Sequence, residues 1–275
     1  MIQTILGRDT FTRGVRRYLS DNDGRSATVE DFIAAMESET GADLTHFMDW
    51  YGRPGTPKLT VEKEFDAKER CCAIILKQEA DTTTGKANPG PLHIPVRLSL
   101  LGPTGEAFPL RLDGEAMTEA NAARSVELRD ASSRIEFVDI DHDPVVSALQ
   151  DFSAPVTLSA GLTDRDRALL MAHDPDPFNR WEAGQQYATG YLLQAVEAVQ
   201  RGDAPPAAAV FIAALSVLLT DHRLDKAFVA EAIMLPCVEY LGNQMARVDV
   251  DAIHTAREAL RREIATSLRS LILEI

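Results

Sequence analysis

The chain has 275 residues, 45% of them apolar and 25% charged, a balance that fits an ordinary soluble globular protein with room for more than one hydrophobic core. Its net charge is −14 and its largest basic cluster is Arg13, Arg16 and Arg17, which argues against nucleic-acid binding through phosphate neutralisation. No apolar run reaches the length of a membrane span and no signal-peptide pattern opens the chain, so no membrane association is expected.

Residues 1–57 read as helices. Phe11, Val15, Tyr18 and Leu19 fall on one face at helical spacing. Thr28 followed by Asp31 has the form of a capping box, with Asp in place of the usual Glu or Gln. The helix behind it carries Val29, Phe32, Ile33 and Met36, and another repeats the spacing with Leu44, Phe47, Met48 and Tyr51. Three short apolar stripes need a surface to pack on, and little sequence precedes them to supply it.

After Pro57 the period switches to two. Leu59, Val61 and Phe65 mark one strand; Cys72, Ile74 and Leu76 mark the next, across a turn at Asp66-Ala67-Lys68-Glu69. Leu92, Ile94, Val96, Leu98 and Leu100 alternate with His93, Pro95, Arg97 and Ser99. Pro95 cannot donate to a ladder, which places that strand at an edge or the proline at a bulge. Phe108/Leu110/Leu112, Val126/Leu128, Ile135/Phe137 and Val156/Leu158 complete about seven short strands, the pattern of an immunoglobulin-like sandwich.

From Thr163 the period is helical again. Asp176-Pro177 and Pro205-Pro206 each open a helix; further helices follow around Phe228 and Ile233, and a long one runs from Asp249. Short connections between them suggest antiparallel neighbours in a bundle or α-solenoid. Leu271-Ile272-Leu273-Glu274-Ile275 is an apolar turn with nothing after it, so the sequence reads as truncated at both ends. The fold class expected is α+β and multidomain: a helical segment over 1–57, a β-sandwich over 58–160 and a helical region over 161–275.

Several motifs in one order carry a resemblance. They include Asp23-Gly24 with Thr28 and Asp31-Phe32, and Phe47/Trp50-Tyr51/Gly55-Thr56-Pro57. Pro91-Leu92-His93-Ile94-Pro95, Phe152-Ser153-Ala154-Pro155-Val156 and Phe178/Arg180-Trp181-Glu182-Ala183 follow. Together they resemble the bacterial aminopeptidase N family of zinc-dependent peptidases, along the whole chain. The resemblance implies the tail of a thermolysin-like catalytic domain, then the family's small sandwich domain, then the first helices of its C-terminal helical domain. It implies zinc in the full-length enzyme and, as partners, the catalytic domain, the remaining C-terminal helices and peptide substrates. The family's zinc motif H-E-x-x-H and its G-A-M-E-N segment do not occur in this sequence. No catalytic, metal or cofactor residue is therefore assigned.

The residues themselves offer little local chemistry. Of the six histidines, His46, His93, His142, His173, His222 and His254, no two are four apart. His254 and Glu258 share a helix face but lack a third ligand. Asp21, Asp23, Gly24 and Glu30 mimic part of a calcium loop whose first position would be Leu19, which cannot coordinate. Asp139-Ile140-Asp141-His142-Asp143-Pro144 gathers three carboxylates in what reads as an inter-strand loop. Ser153 lacks a nucleophile motif, and Gly102-Pro103-Thr104-Gly105 reads as a hairpin turn rather than a phosphate loop. Trp50, Tyr51 and Trp181 read as interface packing.

Cys71, Cys72 and Cys237 show no framework spacing. The adjacent pair would face opposite sides of a strand, so a reducing, cytoplasmic setting is expected. Two functions follow: a non-catalytic portion of an aminopeptidase, or an interaction module without enzymatic activity that binds peptides or a partner protein. Exposed helix stripes also lead to an expectation of self-association.

Overall fold

The computed structural model describes residues 1–80, 90–117 and 121–274. The chain forms two compact units. One comprises Met1–Leu100 with Ala107–Gly161, the other Leu101–Glu106 with Leu162–Ile275. The architecture is mixed α+β, an Ig-like β region followed by an array of helices.

The first unit opens with α1 (Ile2–Leu6), α2 (Arg8–Asp21) and α3 (Val29–Thr40). The Thr28 capping box is formed: Thr28 Oγ1 accepts the Asp31 N–H at 3.3 Å, and Asp31 Oδ2 accepts the Thr28 N–H at 2.8 Å. α2 lies close against α3 because residue 14 is glycine; a Cβ there would stand 2.3 Å from the Met36 sulfur. Phe32 meets Tyr18 and Phe11 edge-on, with ring centroids 5.2 and 6.4 Å away. Only Ile33, Met36, Leu44 and Phe47 are fully buried in this cluster; Trp50 and Met1 also reach the sandwich core.

The third helical stripe takes a different form, a 3-10 turn over His46–Met48 followed by the four-residue α4 (Asp49–Gly52). So short a segment cannot meet the nucleation cost of a helix by itself. The Leu44 N–H is instead held by Glu37 Oε1 at 2.8 Å, and the Thr45 N–H by Asp43 Oδ1 at 2.9 Å.

The sandwich contains β1 (Lys58–Asp66), β2 (Cys71–Glu79), β3 (Ile94–Leu101), β4 (Arg124–Leu128), β5 (Ser132–Val138), β6 (Val145–Ala148) and β7 (Thr157–Ser159). One sheet has the order β5-β2-β1-β7 and the other β4-β3-β6. β1 and β2 are antiparallel with Lys58 opposite Glu79, while β7 joins β1 in parallel with Thr157 opposite Lys58. Leu59, Val61, Ile74, Leu76 and Phe137 from the first sheet share a core with Ile94, Val96, Leu98 and Leu128 from the second.

Three details depart from the sequence expectations. β3 is the middle strand of its sheet, not an edge; Pro95 is accommodated as its second residue, opposite Glu127. β3 is also largely covered on both faces, since Pro95 and Ser99 are buried along with Ile94, Val96 and Leu98, and only Arg97 is half-buried. Phe108–Leu112 forms no continuous strand. The Phe108 N–H bonds to Leu100 O of one sheet, while Leu112 bridges Phe137 of the other, so the segment crosses between ladders and lines neither.

The second unit contains α5 (Asp164–His173), α6 (Pro177–Arg201), α7 (Ala209–Thr220), α8 (Lys226–Ala232), α9 (Val238–Asn243), α10 (Val250–Ser267) and α11 (Arg269–Glu274). α5 begins with a second capping box, Thr163 with Asp166. Asp176 caps α6, with Pro177 in its first turn. Tyr187, Ala188, Tyr191, Leu192, Ala195 and Val196 form the buried stripe of α6. α7 starts at Ala209, beyond the Pro205-Pro206 pair, whose second carbonyl accepts the Tyr191 hydroxyl at 2.6 Å. The Leu101–Glu106 turn seats Gly105, φ +88°, so tightly that a Cβ would lie 2.2 Å from the His173 ring.

Candidate functional site

The acidic candidates are consumed by local pairing. Asp139 binds Arg111, Asp141 binds Arg70, and Asp143 accepts from Lys63 at 2.6 Å. Three carboxylates close in sequence are thus spread over three cations and tie the β5–β6 loop down. Asp21 pairs with Arg17 at 3.4 Å, and Glu30 lies in the first turn of α3, exposed like Asp23. Glu258 takes Arg261 at 2.8 Å while His254 is exposed. Among the described residues no group of three or more His, Cys, Asp or Glu could hold a metal ion. A catalytic zinc does not fit them.

The nucleophile candidates are equally committed. Ser153 is fully buried, and its Oγ accepts the Arg97 N–H at 3.0 Å. The Cys72 thiol lies in the sandwich core, where burial pushes its pKa up to about 11 and keeps it protonated and inert. Cys71, Cys72 and Cys237 are free thiols. Gly102–Gly105 is a turn closed by the Gly105 N–H on Gly102 O at 3.0 Å. Trp50 is placed between the helical segment and the sandwich, Tyr51 is exposed, and Trp181 packs on Phe178 at 5.6 Å.

A polar constellation of the first unit surrounds residues 90–93, just ahead of β3. Four consecutive carbonyls there are taken by side chains. Arg53 donates to Gly90 O and Pro91 O at 2.8 and 3.2 Å, and His46 Nε2 meets Pro91 O at 3.0 Å. Gln78 donates to Leu92 O at 2.8 Å, and Trp50 Nε1 donates to His93 O at 2.9 Å. The His93 ring is fully buried, with Nε2 2.8 Å from Glu127 Oε2. Burial, and the nearby Arg129 cation, push its pKa below the ordinary value; Glu127 offsets this only in part. Burial also acts to raise the Glu127 pKa, but hydrogen bonds from Arg129 and His93 hold the carboxyl below the usual range. Sequence reading missed this cluster: the Pro-Leu-His-Ile-Pro run was visible, but Glu127 lies 34 residues away.

In the second unit, Arg180 is 4% exposed. It donates to Met171 O at 3.2 Å, to Ala172 O, and to Asp221 Oδ2 at 3.1 Å, joining α5, α6 and the end of α7. α7, α8 and α10 border an apolar groove of about 500 Å³, lined by Leu219, Val229, Ile233 and Ile264 with Lys226 and Arg261.

Two family models match the chain, one described as a domain of unknown function (DUF3458) with an Ig-like fold over residues 55–161, the other as DUF3458_C, ARM repeats, over 164–275. Aminopeptidase N of Escherichia coli (strain K12) is 33% identical over 276 residues, spanning 100% of this chain and 31% of that protein. The chain is a homologue of aminopeptidase N. The Caulobacter vibrioides aminopeptidase N is 34% identical over 99% of the chain and 30% of its own length. A crystal structure of Legionella pneumophila aminopeptidase A in complex with aspartic acid superposes with a TM-score of 0.79 at 25% identity, over 99% of this chain and 29% of that one. The chain thus spans about a third of the length of the aminopeptidases it matches.

Proposed function

We propose that this chain is the scaffold portion of a zinc-dependent aminopeptidase N, an enzyme that removes amino-terminal residues from peptides. In this reading the sandwich is a spacer and the helices contribute part of the chamber wall. The observation that carries it is collinear identity to aminopeptidase N along the whole chain, in a sequence without the H-E-x-x-H ligand pair. Zinc and the peptide amine would be held by a catalytic domain outside this sequence, and that domain and further C-terminal helices would be its partners. We place the protein in the cytoplasm, where three free thiols are stable. No described helix is long and apolar enough to cross a membrane.

The test is hydrolysis of a chromogenic alanyl substrate by the purified chain, alone and mixed with a separately produced catalytic part of aminopeptidase N. Activity on mixing only is expected. Hydrolysis by the chain alone, with stoichiometric zinc, would sink the proposal. The apolar groove favours a second reading, an interaction module that binds an amphipathic peptide or partner protein, or a second copy of itself. Inactivity in both assays, together with saturable peptide binding, would favour that one.

A further inference from the structure

A stretch of four carbonyls bound by side chains instead of a neighbouring strand needs a reason. Residues 90–93 precede β3, and every carbonyl in them is bound from outside the ladder. Three of the donors, His46, Trp50 and Arg53, come from the 3-10 turn, α4 and the residue after it. Asp49 holds Arg53 in place. This grip is what fastens the helical segment to the start of β3.

His93 sits at its centre. Its ring stacks on His46 at 6.0 Å with the planes 21° apart, and meets the edge of Phe47 at 6.2 Å. With Nε2–H donating to the ionised Glu127, the neutral tautomer is satisfied on that side. Nδ1 is buried and has no partner among the described residues. A second proton would have to go there, as a donor with nothing to accept it. The charged groups facing the ring are Glu127 from β4, Arg129 just beyond β4 and bound to the same carboxylate oxygen at 2.8 Å, and His46 from the 3-10 turn. Glu127 is the one carboxylate among them, and Arg129 already shares it.

We infer that His93 is the pin of a pH-sensitive latch: protonation of its buried ring unseats His46, Trp50 and Arg53 from residues 90–93 and frees the helical segment from the sandwich. The imidazolium gains solvation by leaving its pocket; the departing ring gives up its stacking on His46 and its edge contact with Phe47, and it pulls on the backbone whose carbonyl holds Trp50. The sign follows from linkage. A histidine whose folded pKa is depressed costs stability as pH falls below its unfolded value, about 6.5, until the folded value is reached. The latch is therefore shut at neutral pH and opens in mild acid. This holds whether or not the peptidase reading does.

The chain has two tryptophans, Trp50 and Trp181, so the 275-residue chain carrying Trp181→Phe reports on the latch alone. Between pH 8 and 5.5, Trp50 emission should shift to the red, and the protection factors of amides 46–52, corrected for the intrinsic pH dependence of exchange, should fall about tenfold. His93→Gln, which keeps a donor for Glu127 but cannot titrate, should abolish both changes; His46→Gln should retain them. The inference is overturned if His93→Gln shows the same transition, or if the parent shows none. Should His93→Gln fail to fold, the His93 ring protons in the parent decide by NMR. Their titration must coincide with the Trp50 shift, and separate midpoints overturn the latch.

Discussion

Arg180 carries a full charge at 4% exposure, and its neighbours explain how. The guanidinium fork reaches two carbonyls at the end of α5, where the helix dipole favours a cation, and Asp221, whose own carboxyl is 9% exposed. Hydrogen bonds from Arg223 and Arg180 hold the Asp221 pKa well below the usual range despite its burial. Removing one partner of such a pair leaves a buried charge unmatched, which typically costs about 3–5 kcal/mol. Arg180→Met should fall at the lower end, about 3 kcal/mol, because Arg223 still meets Asp221 at 2.8 Å from the solvent side. Arg180→Lys keeps the charge but loses the three-way fork, so it should remain well short of the parent. Urea midpoints followed by helical circular dichroism check both; a midpoint unchanged in Arg180→Met would refute the role.

At the scale of elements, two capping boxes use the same chemistry with Asp as the third residue. The first box is legible from Thr28 and Asp31; the second, Thr163 with Asp166, has the same spacing at the point where the period turns helical again. Thr28→Ala and Thr163→Ala should each cost about 1 kcal/mol, the usual worth of an N-cap. The boxes lie in different units, so the double substitution should be additive within a few tenths of a kcal/mol. Denaturant melts of the two single variants and the double check this; a clear excess in the double would mean that the two helices are coupled. The alternating strands were readable because one face of each meets the shared core. β6 was not: Val145-Val146-Ser147-Ala148 is too short to show a period, and it follows an acidic loop. Pro95 misled for a physical reason: a missing N–H matters only where the ladder needs it, and the second residue of a strand is a tolerant place. The cluster around His93 was illegible because its partners, residues 46, 53, 78 and 127, converge only after the sheets have formed.

For the molecule as a whole, each unit holds one depressed histidine and one tryptophan, so their acid responses can be separated. His173, at the end of α5, is lowered first by burial and then by the Arg180 and Arg223 cations, with Asp221 and Glu106 pulling the other way. A histidine lowered in the fold withdraws stability as pH drops below its ordinary value near about 6.5. Asp221 acts later: its stabilisation is full above the ordinary Asp value of about 3.9 and is lost only at lower pH. The net charge of −14 acts in the opposite sense, since taking up protons relieves self-repulsion. At 0.15 M salt that long-range term is screened over about 8 Å, whereas a half-buried imidazole against two guanidinium groups is screened far less. The local term should therefore win. In a Trp50→Phe background, the urea midpoint reported by Trp181 should fall between pH 7.5 and 5.5. His173→Gln should flatten that step and leave the later carboxylate-driven decline in place. Raising salt to 0.5 M should leave the step largely intact; if salt erased it, the acid response would belong to the net charge rather than to His173.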